Sequence, residues 1–170
     1  MEKTIKVLND LEKRRLMAKY AIGGAVAVLF YAEPVLTYDL DIYCFLPEPN
    51  GRFVMLSPIY EFLKQLGYHE DKEHVLIEGV PVQFIPAYNE LVVEAVAEAV
   101  AVKFKRTPAR VTRVEHLLAI MLQTDRPKDR ARITHLLAEA KIDARRLNGI
   151  LKRHGLSAKW RKFKQRHDEN

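Results

Sequence analysis

Apolar positions along the chain fall into two alternating rhythms, one of period near 3.6 and one of period 2. From Thr4 to Met17 the residues Ile5, Leu8, Leu11 and Leu16 line one stripe, with Lys13-Arg14-Arg15 outside it, which predicts an amphipathic helix. Tyr20 to Ile22 reads as a short strand and Ala25 to Ala32 as a helix of about two turns, closed before Pro34. From Tyr38 to Leu46 the residues are apolar apart from two acids, and Ile42, Tyr43 and Phe45 favour a strand.

A loop follows from Pro47 to Ser57, and Pro58 suits the first turn of a helix buried through Ile59, Phe62, Leu63 and Leu66 and stopped by Gly67. His74 to Ile85 reads as a hairpin turning near Glu78-Gly79. Asn89 caps a helix expected to run through Val93, Ala97 and Val100. Val102 to Lys105 and Arg110 to Thr112 form a short basic hairpin around Thr107-Pro108, and Val114 to Leu122 is a further helix. The tail, Asp143 to Arg166, is one or two helices broken near Gly155. The pattern predicts an α/β (α+β) fold: a small mixed sheet of about four to six strands, flanked by helices and followed by a C-terminal helical segment. It divides into a core over residues 1–112 and a basic helical segment over 113–170.

Composition changes this picture in two places. A hydrophobic content of 48% over 170 residues supports one packed core and argues against disorder, and no apolar run is long enough to span a membrane. One cysteine, Cys44, excludes an intrachain disulfide and fits a reducing cytoplasm, as does an N-terminus opening straight into an amphipathic pattern. Charge is divided unevenly. Residues 1–102 carry 9 Lys/Arg against 15 Asp/Glu, whereas 103–166 carry 19 against 5. Such asymmetry points to a polyanionic partner for the C-terminal half, met through phosphate contacts; solvated helix faces are the simpler alternative.

The candidate chemistry lies between Ala21 and Leu46. Asp39 and Asp41 are two apart on a strand, so they share a face and can converge on a hard cation such as Mg²⁺. Gly23-Gly24 separates a short strand from a helix, where first-turn amides are unpaired and can hold a phosphate. Each feature alone has a plain structural explanation, as surface acids and as a tight turn. The Glu115-His116 pair has no second ligand at metal spacing and is read as structural.

Gly23-Gly24, a short helix and Thr37-Tyr38-Asp39-Leu40-Asp41 together resemble the signature of the nucleotidyltransferase superfamily, with spacing most similar to its AbiEii-like branch. That resemblance implies Gly23, Gly24 and Thr37 at the triphosphate, and Asp39 and Asp41 on Mg²⁺ (or Mn²⁺). It implies a third carboxylate on a later strand, where this chain has Gln83. Arg126-Pro127-Lys128-Asp129 is similar to the Arg-x-Lys-Asp element of the branch, which implies Lys128, with Arg126, beside the phosphates. Val35 and Met121 stand where the branch commonly carries cations. The implied activity is Mg²⁺-dependent transfer of NMP from an NTP to an RNA (tRNA, for example) or protein hydroxyl. The alternatives are a catalytically degenerate module binding nucleotide or RNA, and a partner in a toxin–antitoxin pair. Oligomeric state is not legible.

Overall fold

The computed structural model describes residues 1–33, 37, 39–47 and 55–168. Among them seven strands form one mixed sheet and eight helices surround it. In chain order these are α1 (Glu2–Lys13), β1 (Lys19–Ile22), α2 (Gly24–Val28), β2 (Leu40–Phe45), α3 (Ser57–Gln65), β3 (His69–Asp71), β4 (His74–Ile77), β5 (Val80–Pro86), α4 (Glu90–Ala97), β6 (Val100–Phe104), β7 (Thr107–Val111), α5 (Val114–Thr124), α6 (Pro127–Glu139), α7 (Ala144–Arg153) and α8 (Ser157–Asp168). No described helix is long and apolar enough to cross a membrane.

The strand order is β3-β4-β5-β2-β1-β7-β6. β1 runs antiparallel to β2, while β2 pairs parallel with β5 and β1 parallel with β7. The glycine-bearing end of β1 therefore lies between the acidic strand on one side and β7 on the other. The core is built on Ile5, Leu8, Leu11, Ile22, Leu40, Ile42, Leu91, Val92, Leu117 and Leu118, all buried. Cys44 is part of this core, and burial pushes its thiol up to about 12, so it packs as a small apolar residue.

The α/β class is as the pattern predicts, with differences at several elements. The sheet has seven strands where four to six are expected. The extra strand, β3, is exposed at all three of its polar positions, so no apolar alternation announces it. The helix expected to run through Val100 ends at Ala97, and Val100 opens β6, in which half-buried and exposed positions alternate with period 2. α1 stops at Lys13 because the chain enters the left-handed region at Arg15 (φ 59°) before Met17 is buried. α2 keeps α-helical bonding only to Val28 and then tightens, Leu29 and Phe30 donating to carbonyls three residues back. Asn89 caps α4 as expected, its side-chain oxygen accepting from Val92 N–H at 2.9 Å.

Candidate active site

The site grows from the way β2 closes over the turn after β1. Gly23 N–H donates to the Asp41 carbonyl at 2.9 Å, extending the antiparallel pairing one residue past β1. The side chains on that face of β2 then lie directly on the two glycines. A Cβ added to Gly23 would overlap the ring of Tyr43, and one on Gly24 would overlap Asp41 Oδ2. Gly24 also has φ +55°, a backbone conformation that side chains disfavour. The pair is thus required by close packing against β2, independently of any ligand. Gly23 is the N-cap of α2 and Gly24 its first residue, and the first-turn amides have no intrahelical acceptor.

Across β2 on its other side, Asp41 and Gln83 are register partners in the parallel pair with β5. Neighbours in register present side chains to the same sheet face, so the Gln83 amide flanks the Asp41 carboxylate. Asp39, one residue before β2, is exposed, and its charge is felt at Asp41. The two acids are therefore close but unequal, one open to solvent and one half-buried. Thr37 is half-buried; Val35 and Tyr38 lie outside the described residues.

The third component comes from α6. α5 ends at Asp125 in the left-handed conformation, Arg126 is the N-cap of α6 and Pro127 its first residue, so the turn between the helices is tight. Asp129 is fully buried there. It accepts from Thr124 Oγ1 at 2.8 Å and from Arg126 Nε and Nη2 at 2.6 and 3.1 Å, with Arg132 Nη1 at 3.6 Å. Burial pushes the Asp129 carboxyl up, but the Arg126 and Thr124 hydrogen bonds outweigh it and hold the group below its ordinary value. Asp129 does not face a ligand; it fixes the Arg126 fork.

Asp41 has the opposite balance. Burial raises its pKa, Asp39 adds to the rise, and Arg126, Arg132 and Lys128 pull it back without cancelling it. No described residue donates a hydrogen bond to its carboxylate. Arg132 is a member of this cationic set that the sequence reading missed. Helical spacing was the available signal, since Lys128 and Arg132 are four apart on α6 and share a face. Tyr43 was also missed; its hydroxyl is buried and pushed far up by desolvation and by Asp41.

A second ionic cluster lies between α4, α5 and α7. Glu94 accepts from His116 Nε2 at 3.1 Å, His154 Nε2 at 2.7 Å and Arg153 Nη2 at 2.5 Å. Glu94, Glu98 and His116 offer ligand atoms within 4.8 Å of one another, the only such group of three among the described residues. Arg153 and His154 already occupy the Glu94 oxygens, so the cluster is an internal knot rather than an open cation seat. The Glu94 carboxyl is held down to about 2, first by the Arg153 hydrogen bond, against an opposing contribution from burial, with His154 and His116 assisting. Burial lowers the His116 pKa against the pull of Glu94, and the fold brings it the two carboxylates, Glu94 and Glu98, that its sequence neighbourhood lacks.

No protein-family model and no curated protein matches the chain. Among solved structures it is similar to an antigenic nucleotidyltransferase-like protein from Paracoccidioides brasiliensis, with a TM-score of 0.55 at 11% identity over 79% of this chain and 72% of that one. It is also similar to the antibiotic-resistance factor ANT(2'')-Ia in solution, at a TM-score of 0.49 and 16% identity over the full length of both chains. A crystal structure of ANT(2'')-Ia in complex with adenylyl-2''-tobramycin gives 0.46 and 15% over 95% of each. The first of these likenesses shows the fold alone, and that fold is nucleotidyltransferase-like. Within it, Gly23-Gly24 lie at the β1–α2 turn, Asp39 and Asp41 at the start of β2, and Arg126 to Asp129 at the start of α6.

Proposed function

We propose that the protein is a nucleotidyltransferase of the AbiEii-like branch, transferring NMP from an NTP to a hydroxyl of an RNA or protein acceptor. The observation that carries this reading is the state of Asp41. A half-buried carboxylate resting on a glycine backbone, given no hydrogen-bond donor by the described residues and only partly relieved by three nearby cations, is costly unless a ligand completes it.

The donor set fits one hard cation. Asp39 and Asp41 supply two carboxylates and Gln83 an amide oxygen, and Mg²⁺ commonly takes one or two carboxylates with substrate phosphates filling the remainder. When bound, Mg²⁺ would draw charge from the phosphate oxygens at the reacting centre. The cations of α6 act on the same charge. Arg126, Lys128 and Arg132 offset the triphosphate and stabilise the negative charge that develops on departing pyrophosphate. Asp129 keeps the Arg126 fork aimed before substrate arrives, so that little reorganisation is needed.

Gln83 limits the chemistry. Its oxygen can ligate, but an amide takes no proton from the acceptor hydroxyl and brings no charge for a second metal. This same residue favours a second reading, a nucleotidyltransferase-like module that binds NTP and has lost turnover. Label transfer from α-phosphate-labelled NTP with Mg²⁺ separates the two. Label in the wild type and none in Asp39→Asn supports transfer; equal labelling by both overturns it. NTP binding without pyrophosphate release supports the binding module.

A further inference from the structure

A triphosphate and its cation account for the glycine corner but leave the nucleoside of an NTP without a seat. Two tyrosines beside the corner carry groups that the fold does not use. Tyr88 is the most exposed large hydrophobic side chain among the described residues, at 56%, and the only aromatic so exposed. No described ring stacks on it and no described cation lies over it, so its ring face is free.

The position of Tyr88 is fixed from both sides. β5 carries the chain from Gln83, in register with Asp41, to Pro86, in register with Cys44. Ala87 N–H donates to the Cys44 carbonyl at 3.0 Å, so the pairing with β2 continues to the residue before Tyr88. Asn89, the residue after it, donates from Nδ2 to Gln123 Oε1 at 2.8 Å. That bond ties the loop to the last turn of α5, three residues before Arg126. Burial of the hydroxyl end raises the Tyr88 pKa, and the Arg126 charge opposes the rise, as expected of a ring that spans from solvent towards the site.

Tyr43 supplies the second group. It lies two residues after Asp41 on the same face of β2, is only 7% exposed, and rests its ring on Gly23. Its hydroxyl has no hydrogen-bond partner among the described residues, and the groups that act on it are Asp41, Tyr88, Arg126 and Asp129. Burial keeps it protonated at neutral pH, so it is a donor without an acceptor, which a buried site normally avoids.

We infer that Tyr88 and Tyr43 form the nucleoside subsite of the proposed nucleotide site, the Tyr88 ring stacking on the base and the Tyr43 hydroxyl donating to an acceptor of the nucleoside. Every base has a π face, so such a platform holds the nucleoside without choosing among the four. Tyrosine offers that area at little entropic cost, with two χ angles to fix. The inference rests on the reading of the glycine corner as a triphosphate site and adds that part of the affinity for NTP comes from the base.

The test is calorimetric titration of the full chain with ATP, GTP, CTP and UTP, and separately with inorganic tripolyphosphate, all with Mg²⁺. Tyr88→Ala, an exposed change, is expected to weaken binding of each NTP about tenfold and of tripolyphosphate by less than about twofold. Tyr88→Phe keeps the platform and is expected to stay within about twofold of wild type for both. Tyr43→Phe keeps the ring on Gly23 and removes only the donor, so NTP binding is expected to weaken about fivefold with tripolyphosphate unchanged. NTP affinity unchanged in Tyr88→Ala, an equal loss in Tyr88→Ala and Tyr88→Phe, or an equal loss of NTP and tripolyphosphate in either alanine or phenylalanine variant would overturn the inference. Tripolyphosphate binding by the wild type would still support the corner in those cases. Binding of neither ligand by the wild type would remove the triphosphate site, and the nucleoside subsite with it.

Discussion

Asp41 and Glu94 are two half-buried carboxylates of one chain with opposite fates. Glu94 is given three donors, Arg153, His154 and His116, and its carboxyl is held down to about 2. Asp41 is approached by Arg126, Arg132 and Lys128, yet its carboxyl stays above its ordinary value because burial dominates. The difference is geometric. Glu94 faces side chains that reach it, whereas Asp41 lies on Gly24 with cations near but not touching. A satisfied carboxylate ties helices together; an unsatisfied one is, on the proposed reading, a seat for a ligand, and its cost is borne by the rest of the fold.

The comparison breaks most sharply through Asp41→Asn. This variant is expected to lose at least about 10³-fold in label transfer, roughly 4 kcal/mol of transition-state stabilisation, while melting at or above the wild-type temperature. The sign follows from the pKa. A folded carboxyl above its ordinary value makes ionisation destabilising at neutral pH, so removing the charge relieves the fold. Loss of melting temperature with unchanged labelling would place Asp41 with Glu94. Gly24→Ala comes next: a side chain at φ +55° that overlaps Asp41 Oδ2 should cost about 1–3 kcal/mol in denaturant unfolding and displace the carboxylate, lowering label transfer.

Glu94→Gln is the mirror experiment. It should cost about 2 kcal/mol of stability, the worth of hydrogen bonds to a charged group, and leave label transfer within twofold. Its pH dependence is specific. The Glu94 carboxyl lies below its ordinary value of 4.5, so its contribution is complete above about pH 4.5 and disappears as pH falls to about 2. The difference in melting temperature between wild type and variant should close over that interval. Gln83→Glu is the smallest change expected. A third carboxylate beside Asp41 should tighten Mn²⁺ binding about tenfold by calorimetry, or about 1.4 kcal/mol, while lowering the stability of the metal-free protein.

The parts of this site that the sequence announced are those written in local chemistry. The glycine pair at the β1–α2 turn, Asp41 on β2 and the Arg126–Asp129 helix start each rest on a few consecutive residues; the strand begins at Leu40, one residue after Asp39, so the alternation expected to hold both acids covers Asp41 alone. Register was legible only through resemblance: nothing near Gln83 says that it will lie beside Asp41, because strand order is decided by burial across the whole sheet. β3 was invisible for a related reason, since an edge strand of exposed polar residues carries no apolar period. Arg132 and the Glu94 knot depend on how α6 and α7 dock, and no short pattern encodes docking. The glycines carry the same lesson. Their spacing suggested a phosphate turn, but the structure also gives them a packing role beneath Tyr43 and Asp41.

The most direct test of the central claim is an anomalous-scattering crystal structure of the protein with Mn²⁺ and a non-hydrolysable NTP analogue. A metal peak bonded to oxygens of Asp39 and Asp41 at about 2.1 Å, with the triphosphate beside Arg126 and Lys128, is the result the account predicts. A metal seated instead among Glu94, Glu98 and His116, or a nucleotide bound with Asp41 untouched, would contradict it.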